Sequence, residues 1–265
     1  MDDTTLDQVN TSEIALFIAT KAAITAMSYF RQGVEIDLKA DDSPVTIADK
    51  QIEREVREIL KERFPDHEVL GEEYGAGDLT AENVWVVDPI DGTRSFISGH
   101  PLFGFLLAHM KSGKCELGMI SMPALDEQYV GQKGKGATLN GNAINTSGQK
   151  KLSDAILYIN EGEKLIESEG KVLKQLLQVG HTKRFGYDCY PHALVASGQI
   201  DAVVDYDLKP FDYLPLAGVI EEAGGITTDW DGEPLTYISD GRIVSAATPE
   251  LHRELISILS TNGKA

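Results

Sequence analysis

Cysteine and basic side chains are both scarce in this sequence of 265 residues. The two cysteines, Cys115 and Cys189, form no Cys-x-x-Cys pair, which argues against a disulfide framework and predicts reduced thiols in a cytoplasmic protein. Lysine and arginine total 24 against 42 acidic residues. The resulting formal charge of −18 argues against nucleic-acid binding, which needs a basic face. The six histidines are scattered without metal-ligand spacing, which argues against zinc.

Long apolar runs are also missing. The longest uncharged run, 95–110, contains two glycines, a proline and two histidines, and falls short of the ~20 apolar residues that cross a bilayer. Residues 1–10 are polar and acidic, with neither a basic nor an apolar leader pattern. No linker or low-complexity segment divides the chain. We therefore expect a protein without a membrane segment, folded as a single domain over residues 1–265.

The most informative stretch is 84–96, Val-Trp-Val-Val-Asp-Pro-Ile-Asp-Gly-Thr-Arg-Ser-Phe. Its first four residues predict a buried strand that ends at Asp88, because Pro89 has no N–H to donate. Asp88 and Asp91 then stand close together, Gly92 allows a tight turn, and Thr93 can begin a helix. Two carboxylates beside free N–H groups form a cation site next to an anion site, which suits a phosphate ester held against Mg²⁺.

Further acids lie at the ends of other predicted elements. A polar loop, 39–49, leads into an amphipathic helix with a surface pair of Glu53 and Arg57, and Asp49 lies in the first helical turn, where a carboxylate also favours the helix dipole. A strand at 68–70 runs into Glu72 and Glu73, which places Glu72 within reach of Asp88. The stretch 131–136 lacks the spacing of a phosphate-binding loop and predicts a hairpin turn.

The rest of the chain alternates between helices and strands. Helices are predicted at 12–30, 165–178, 190–197, 213–223 and 249–259, and strands at 102–110, 116–122, 127–130, 181–185, 200–206, 226–228 and 243–246. The first helix is apolar on two sides, which predicts a position between layers or at an interface. Pro215 is expected in the first turn of its helix. Together these elements predict an α+β fold of mixed sheets layered with helices.

Four segments occur in the order typical of the inositol monophosphatase superfamily, which this chain resembles along nearly its full length. They are Val45-Thr-x-x-Asp49, Gly71-Glu-Glu73, Asp88-Pro-Ile-Asp-Gly-Thr93, and Phe211-Asp212 before a helix that ends in Gly224-Gly225. The resemblance implies an αβαβα layered sandwich of the inositol monophosphatase and fructose-1,6-bisphosphatase type, usually a homodimer. It also implies Mg²⁺-dependent, often lithium-sensitive hydrolysis of small phosphomonoesters.

The resemblance also implies roles for individual residues. Glu72, Asp88 and the Ile90 carbonyl would hold one Mg²⁺, and Asp88, Asp91 and Asp212 a second, with two or three ions per site. Thr93, supported by Asp49, would orient the attacking water, with Glu73 a weaker candidate for the same water network. Asp91 and the N–H groups of Gly92 and Thr93 would bind the phosphate. Independently of the resemblance, carboxylates 4 Å apart repel by up to ~4 kcal/mol per pair at an effective dielectric of ~20, so such a cluster implies protonation or bound cations.

The stretches 91–99, 185–190 and 207–212 most resemble the histidinol-phosphate phosphatase branch of the superfamily. An acidic Asp188 facing the substrate would suit an ammonium group, which histidinol phosphate has and inositol phosphate lacks, and Arg94 and Lys209 would complete the substrate pocket. The segment 157–163 departs from the pattern of that branch. Hydrolysis of inositol-1-phosphate is therefore the alternative, and a bisphosphate nucleotidase, a fructose-1,6-bisphosphatase or a non-catalytic regulator ranks lower.

Overall fold

The structure is a computed structural model that describes residues 11–33, 36–38 and 44–260. Its helices are α1 (Thr11–Tyr29), α2 (Ile47–Arg63), α3 (Thr93–Ile97), α4 (Gly162–Ser168), α5 (Gly170–Leu176), α6 (Tyr190–Ala196), α7 (Pro210–Glu222) and α8 (Pro249–Leu259). A short 3₁₀ helix covers Leu152–Asp154. Among these residues, no helix combines the length and apolar character that a membrane crossing needs.

Two sheets carry the architecture. The larger one contains β3 (Glu68–Gly71), β4 (Gly75–Ala76), β5 (Asn83–Asp91), β6 (Gly104–Lys111), β7 (Lys114–Met122), β8 (Glu127–Gln132), β9 (Gly136–Leu139) and β10 (Asn142–Ile144), in the order β10-β9-β8-β7-β6-β5-β3-β4. The smaller one contains β11 (Ile156–Asn160), β12 (Thr182–Gly186), β13 (Ala202–Asp205), β14 (Ile226–Asp229) and β15 (Ile243–Ala246), in the order β12-β11-β13-β15-β14. A separate antiparallel pair joins β1 (Ile36–Leu38) to β2 (Pro44–Thr46).

The two faces of each sheet are covered by helices, as the alternation of side chains along a strand requires. On β5, Trp85 and Val87 point to one side and pack in a cluster with α1 and α2, whereas Val84 and Val86 contact α7 on the other. Helices α6 and α7 lie between the sheets, and α4, α5 and α8 cover the outer face of the smaller one. The predicted αβαβα layering is therefore confirmed.

Several local predictions need correction. Strand β5 continues through Pro89 to Asp91, because its ladder to β6 breaks between Asp88 and Asp91, so the missing N–H of proline costs no regular hydrogen bond. Helix α7 begins at Pro210, so Pro215 lies inside the helix, where burial of residues 213–220 outweighs the lost bond. The predicted helix at 165–178 is two helices, which meet at Glu169.

The N-terminal third contains three further differences. Part of the predicted loop 39–49 is strand β2 followed by the first turn of α2, and positions 39–43 lie outside the described residues. Glu53 is not at the surface but fully buried, for a reason given below. Helix α1 buries only one face, and four apolar side chains on the other are exposed: Leu16, Phe17, Ile24 and Met27. The sandwiched interpretation of α1 is therefore wrong, and an interface stays a prediction.

The hairpin turn at 131–136 is confirmed, between β8 and β9.

Candidate active site

The end of β5 presents two carboxylates on an irregular turn. The ladder break at Pro89 lets the Ile90 N–H donate to Oδ1 of Asp88 at 3.0 Å, which fixes the first carboxylate. Oδ2 of Asp91 accepts from the Cys189 N–H at 2.6 Å, which fixes the second. Both acids are buried, with 2% of Asp88 and 8% of Asp91 exposed. A strand that ends in a bulge thus holds two acids in defined orientations at the edge of the core.

Two further acids reach this point from different elements. Strand β3 runs parallel to β5, and the Glu72 N–H donates to the Val87 carbonyl at 3.2 Å, so Glu72 emerges beside Asp88. Asp212 lies in the first turn of α7, where its Oδ2 accepts from the Lys209 N–H at 2.7 Å. Oxygen atoms of Asp88, Asp91 and Asp212 lie within 4.8 Å of one another. The acids that are distant in sequence therefore converge.

The cluster is electrostatically unfavourable on its own. Burial, followed by the charges of Glu72 and Asp212, raises the pKa of Asp88 well above its ordinary value. Burial, followed by the charges of Asp188 and Asp212, does the same to the pKa of Asp91. Burial also raises the pKa of Asp212 to about 7. Buried acids that repel one another in this way are typical of functional sites, because evolution otherwise avoids them.

The donor set fits a hard divalent cation. Carboxylate oxygens and a backbone carbonyl, that of Ile90, are the ligands that Mg²⁺ prefers, and neither imidazole nor thiolate lines the cavity. The cavity has a volume of about 340 Å³, which is room for a small ester. Glu72, Asp88, Asp91 and Asp212 would hold the cations, and their repulsion is relieved only by protonation or by such ions.

Thr93 and Asp49 adjoin this cluster as the sequence predicted. Oγ1 of Thr93 lies 3.4 Å from Oδ1 of Asp49 and 3.2 Å from the Ile90 carbonyl. The other oxygen of Asp49, Oδ2, accepts from the N–H and the hydroxyl of Thr46 at 2.8 and 2.5 Å, in a capping box that begins α2. The cap therefore fixes the carboxylate that faces Thr93, and both predicted roles of Asp49 are compatible.

Gly92 lies directly against the Asp188 carboxyl in the cavity wall. Gly92 has a left-handed φ of 80°, and a Cβ atom placed on it would lie 2.6 Å from Cγ of Asp188. Oδ2 of Asp188 accepts from the Ser95 hydroxyl at 2.6 Å. Burial, opposed by this hydrogen bond and aided by the charge of Glu161, raises the pKa of Asp188 to about 6. Only glycine allows the Asp188 carboxylate this close to the turn.

Three predicted site residues do not line the cavity: Asp49, which lies behind Thr93, and Glu73 and Arg94. The Glu73 N–H donates to Oε2 of Glu53 at 2.6 Å, and Glu73 lines a separate depression on the far side of Glu72. Arg94 lines a neighbouring pocket that shares Asp188 with the cavity. Lys209 lies at the cavity mouth, where its Nζ pairs with Oδ1 of Asp207 at 2.8 Å.

Glu53 holds the turn that follows Glu72 by hydrogen bonds. Its buried carboxylate receives hydrogen bonds from the Glu73 N–H at 2.6 Å, the Tyr74 N–H at 3.2 Å and Nε of Arg57 at 2.8 Å. A buried charge is stable only with such partners. The helical spacing of Glu53 and Arg57 predicted their contact but not its burial, because the turn that covers them comes from another part of the chain.

Four more charged residues line the cavity that sequence reasoning did not assign: Glu161, Lys164, Asp205 and Asp207. Asp205 is held from behind, where its Oδ2 accepts from Nδ2 of Asn160 at 2.6 Å and lies 3.0 Å from Nε2 of His192. Their positions at the ends of strands could have identified two of these residues. Glu161 directly follows β11 and Asp205 is the last residue of β13, and these two strands are parallel neighbours, so their ends lie at the same edge of the sheet.

Comparisons with known proteins find similar sequences and a similar solved structure. The sequence profile of the inositol monophosphatase family matches residues 7–264. A bifunctional phosphatase named IMPL2 from Arabidopsis thaliana is 38% identical over 98% of this chain and 77% of that protein. A histidinol-phosphatase from Chlorobaculum parvum is 36% identical over 95% of this chain and 97% of that protein. A solved structure of an inositol monophosphatase from Zymomonas mobilis is 36% identical and has a TM-score of 0.84, covering 94% of this chain and 96% of that one.

Proposed function

Because this chain belongs to the inositol monophosphatase family and is a phosphoric monoester hydrolase, we propose that it hydrolyses a phosphomonoester whose organic part carries one positive charge, with histidinol phosphate as the preferred substrate. The charge of the cavity wall carries the proposal. Eight carboxylates and two lysines line the cavity. Two divalent cations would neutralise four of the six negative charges in excess, which leaves a wall that favours an ammonium group.

In this proposal, Glu72, Asp88, Ile90, Asp91 and Asp212 hold the cations, as the resemblance implies. Members of the family are generally Mg²⁺-dependent, and a bound Mg²⁺ would lower the pKa of its water and stabilise the leaving oxygen. Two ions for hydrolysis, or three in all, remain a prediction for this chain. The acids themselves contribute fixed orientations, which Ile90 and Cys189 set for Asp88 and Asp91.

The remaining groups act on the water and on the phosphate. Thr93 orients the attacking water: when its hydroxyl donates to Asp49, a lone pair of Oγ1 is free to accept a hydrogen bond from water. The N–H groups of Gly92 and Thr93 bind phosphate oxygens at the start of α3, beside Asp91. Glu73, which lies behind Glu72, acts only indirectly on this water network. These assignments give a hydrolysis with no covalent intermediate.

Asp188 binds the ammonium group of the substrate. Its carboxylate lines both the cavity and the neighbouring pocket, which contains Arg94, and so lies where an organic group would leave the phosphate site. Lys209 lines the cavity and is already paired with Asp207, so its charge does not oppose a substrate cation at Asp188. A histidinol-phosphatase is among the relatives that match along nearly the whole chain, which supports the same substrate.

The test is phosphate release from histidinol phosphate, inositol-1-phosphate and neutral esters, each with Mg²⁺ and with or without Li⁺. We expect histidinol phosphate to give the highest kcat/KM. A preference for inositol-1-phosphate would support the alternative, an inositol-1-phosphate phosphatase. The similarity to a solved inositol monophosphatase favours that alternative. Turnover of no ester at all would overturn the proposed function and favour a non-catalytic role.

The variant Asp188→Asn tests the substrate contact. Asparagine tolerates the left-handed φ of 58° at this position, so the change removes charge without straining the backbone. Loss of a charge-assisted hydrogen bond costs ~1.5–3 kcal/mol, so kcat/KM for histidinol phosphate should fall ~10- to 100-fold and that for inositol-1-phosphate much less. The control is Asp126→Asn, which removes the same charge at an exposed position with a φ of 56°. Equal losses on both esters would remove Asp188 as a selectivity residue.

A further inference from the structure

A single lysine joins two acids across the mouth of the cavity. Nζ of Lys164, on α4, lies 3.0 Å from Oε2 of Glu161 and 3.1 Å from Oδ2 of Asp207. Glu161 immediately precedes α4, whereas Asp207 belongs to the loop that leads from β13 into α7. All three line the cavity. This trio, here named the Lys164 bridge, therefore connects two walls of the proposed substrate site.

The backbone at the bridge is unusual. Glu161 and Asp207 have left-handed φ values of 50° and 64°, and so does Asp188, which also lines the cavity, at 58°. Such a conformation is unfavourable for residues other than glycine and persists where surrounding contacts hold it, most often at functional sites. Three acids in this conformation converge on one cavity. The surrounding contacts thus fix the backbone from which these three carboxylates project.

The Lys164 ammonium compensates two of the wall acids. Its Nζ lies within ion-pair distance of both Glu161 and Asp207, and the Glu161 side chain is only 19% exposed. Asp207 has a second partner in Lys209, whereas the salt bridges among the described residues give Glu161 only Lys164. Asp188 accepts a hydrogen bond from the Ser95 hydroxyl, and Arg94 lines the neighbouring pocket with it, but no ion pair among the described residues involves Asp188. With the bridge formed, the wall offers a substrate cation one principal site, at Asp188.

We propose that Lys164 is a specificity-determining residue that limits the cavity to substrates with a single positive charge in their organic part. The proposal deepens the function proposed above and rests on it. Lys164 is a built-in ammonium group that occupies the position between Glu161 and Asp207, where a second cationic group of a substrate would otherwise bind. Without Lys164, both acids become available, and esters with two ammonium groups gain a partner for the second one.

The experiment compares Lys164→Met with the unchanged protein on three phosphomonoesters. These are glycerol phosphate, phosphoethanolamine, and the phosphate of 2-(2-aminoethylamino)ethanol, whose organic parts carry no, one and two amines. The measured quantity is the ratio of kcat/KM for each amine ester to that for glycerol phosphate. Because ion pairs in partly exposed positions are screened, we expect Lys164→Met to raise the ratio about fivefold for the diamine ester, mainly through KM, and about twofold for phosphoethanolamine.

The matched control is Lys150→Met, which removes one lysine from an exposed ion pair with Glu250 and should leave all ratios unchanged. Lys164→Arg retains the bridging charge and should restore the original ratios. Unaltered ratios in Lys164→Met, or an equal rise in Lys150→Met, would overturn the proposal. If Lys164→Met unfolds, Lys164→Gln is measured in its place. If the unchanged protein does not prefer histidinol phosphate, only the proposed substrate is refuted. The ratios measured with the three esters still test the role of Lys164.

Discussion

Removal of divalent cations should make this protein less stable as the pH rises from about 4 to about 7. Burial raises the pKa of Asp212 from 3.8 to about 7, and the pKa values of Asp88 and Asp91 are raised as well. A carboxyl with a raised pKa in the folded state contributes stability that is complete below its unfolded pKa. That contribution is lost as the pH rises through the folded value. Without cations, folding therefore has to hold a proton that the unfolded chain releases.

The magnitude follows from the pKa difference of Asp212. Each pKa unit corresponds to 1.36 kcal/mol, so a difference of about three units corresponds to up to ~4 kcal/mol. About two of these three pKa units lie between pH 5 and pH 7.5, which corresponds to ~2.7 kcal/mol. At ~2–4 °C per kcal/mol for a chain of roughly this length, the melting temperature in a chelator should fall by ~5–10 °C over that range. Mg²⁺ should restore most of this loss at pH 7.5, because a bound cation replaces the proton.

The assay is thermal unfolding in EDTA or in Mg²⁺ across this pH range, for the unchanged protein and for Asp212→Asn. The variant removes the titrating group, so its melting temperature in EDTA should depend less on pH. Asp231→Asn, at an exposed position away from the cavity, is the control and should keep the original slope. A melting temperature in EDTA that stays level or rises toward pH 7.5 would refute the electrostatic reasoning.

Three further substitutions test how the site is built. Gly92→Ala should abolish measurable turnover and lower the melting temperature, because the added methyl group would collide with the Asp188 carboxyl. The control is Gly113→Ala, where φ is 74° and the space around the residue is open, so a melting curve should show only the modest backbone cost. Thr93→Val should lower kcat ~100-fold or more with little change in KM, as steady-state kinetics would show; an effect confined to KM would contradict its role toward water. Glu53→Gln should lower the apparent affinity for Mg²⁺ at least tenfold, because the turn that carries Glu72 loses charge-assisted hydrogen bonds to the Glu53 carboxylate. An unchanged Mg²⁺ titration of activity would show that Glu53 does not support the cation site.

The sequence was most informative where local chemistry decides the structure. The string from Asp88 to Thr93 predicted both the turn and its acids, since proline, glycine and aspartate each restrict the backbone in known ways. It misplaced the end of β5, because the ladder break that accommodates Pro89 depends on the partner strand β6. Pro215 was misplaced for a similar reason, as burial between two sheets outweighs the local preference of proline.

The substrate side of the site was harder to predict. Glu161 and Asp205 lie at the ends of strands that pair in parallel only after the chain has folded, and the proposed role of Lys164 depends on an acid more than 40 residues away in sequence. Periodicity and motif spacing report on neighbours along the chain, so they do not reveal such contacts. The burial of Glu53 was missed on the same ground.

Binding of divalent cations by Glu72, Asp88, Asp91 and Asp212 at the end of β5 is the prediction on which the proposed hydrolysis depends. Its most direct test is a Mn²⁺ titration followed by electron paramagnetic resonance, with Mg²⁺ as competitor and Asp91→Asn alongside. We predict at least two bound Mn²⁺ per chain, displaced by Mg²⁺, and fewer in the variant. Absence of specific binding, or binding that Asp91→Asn leaves unaltered, would contradict the claim.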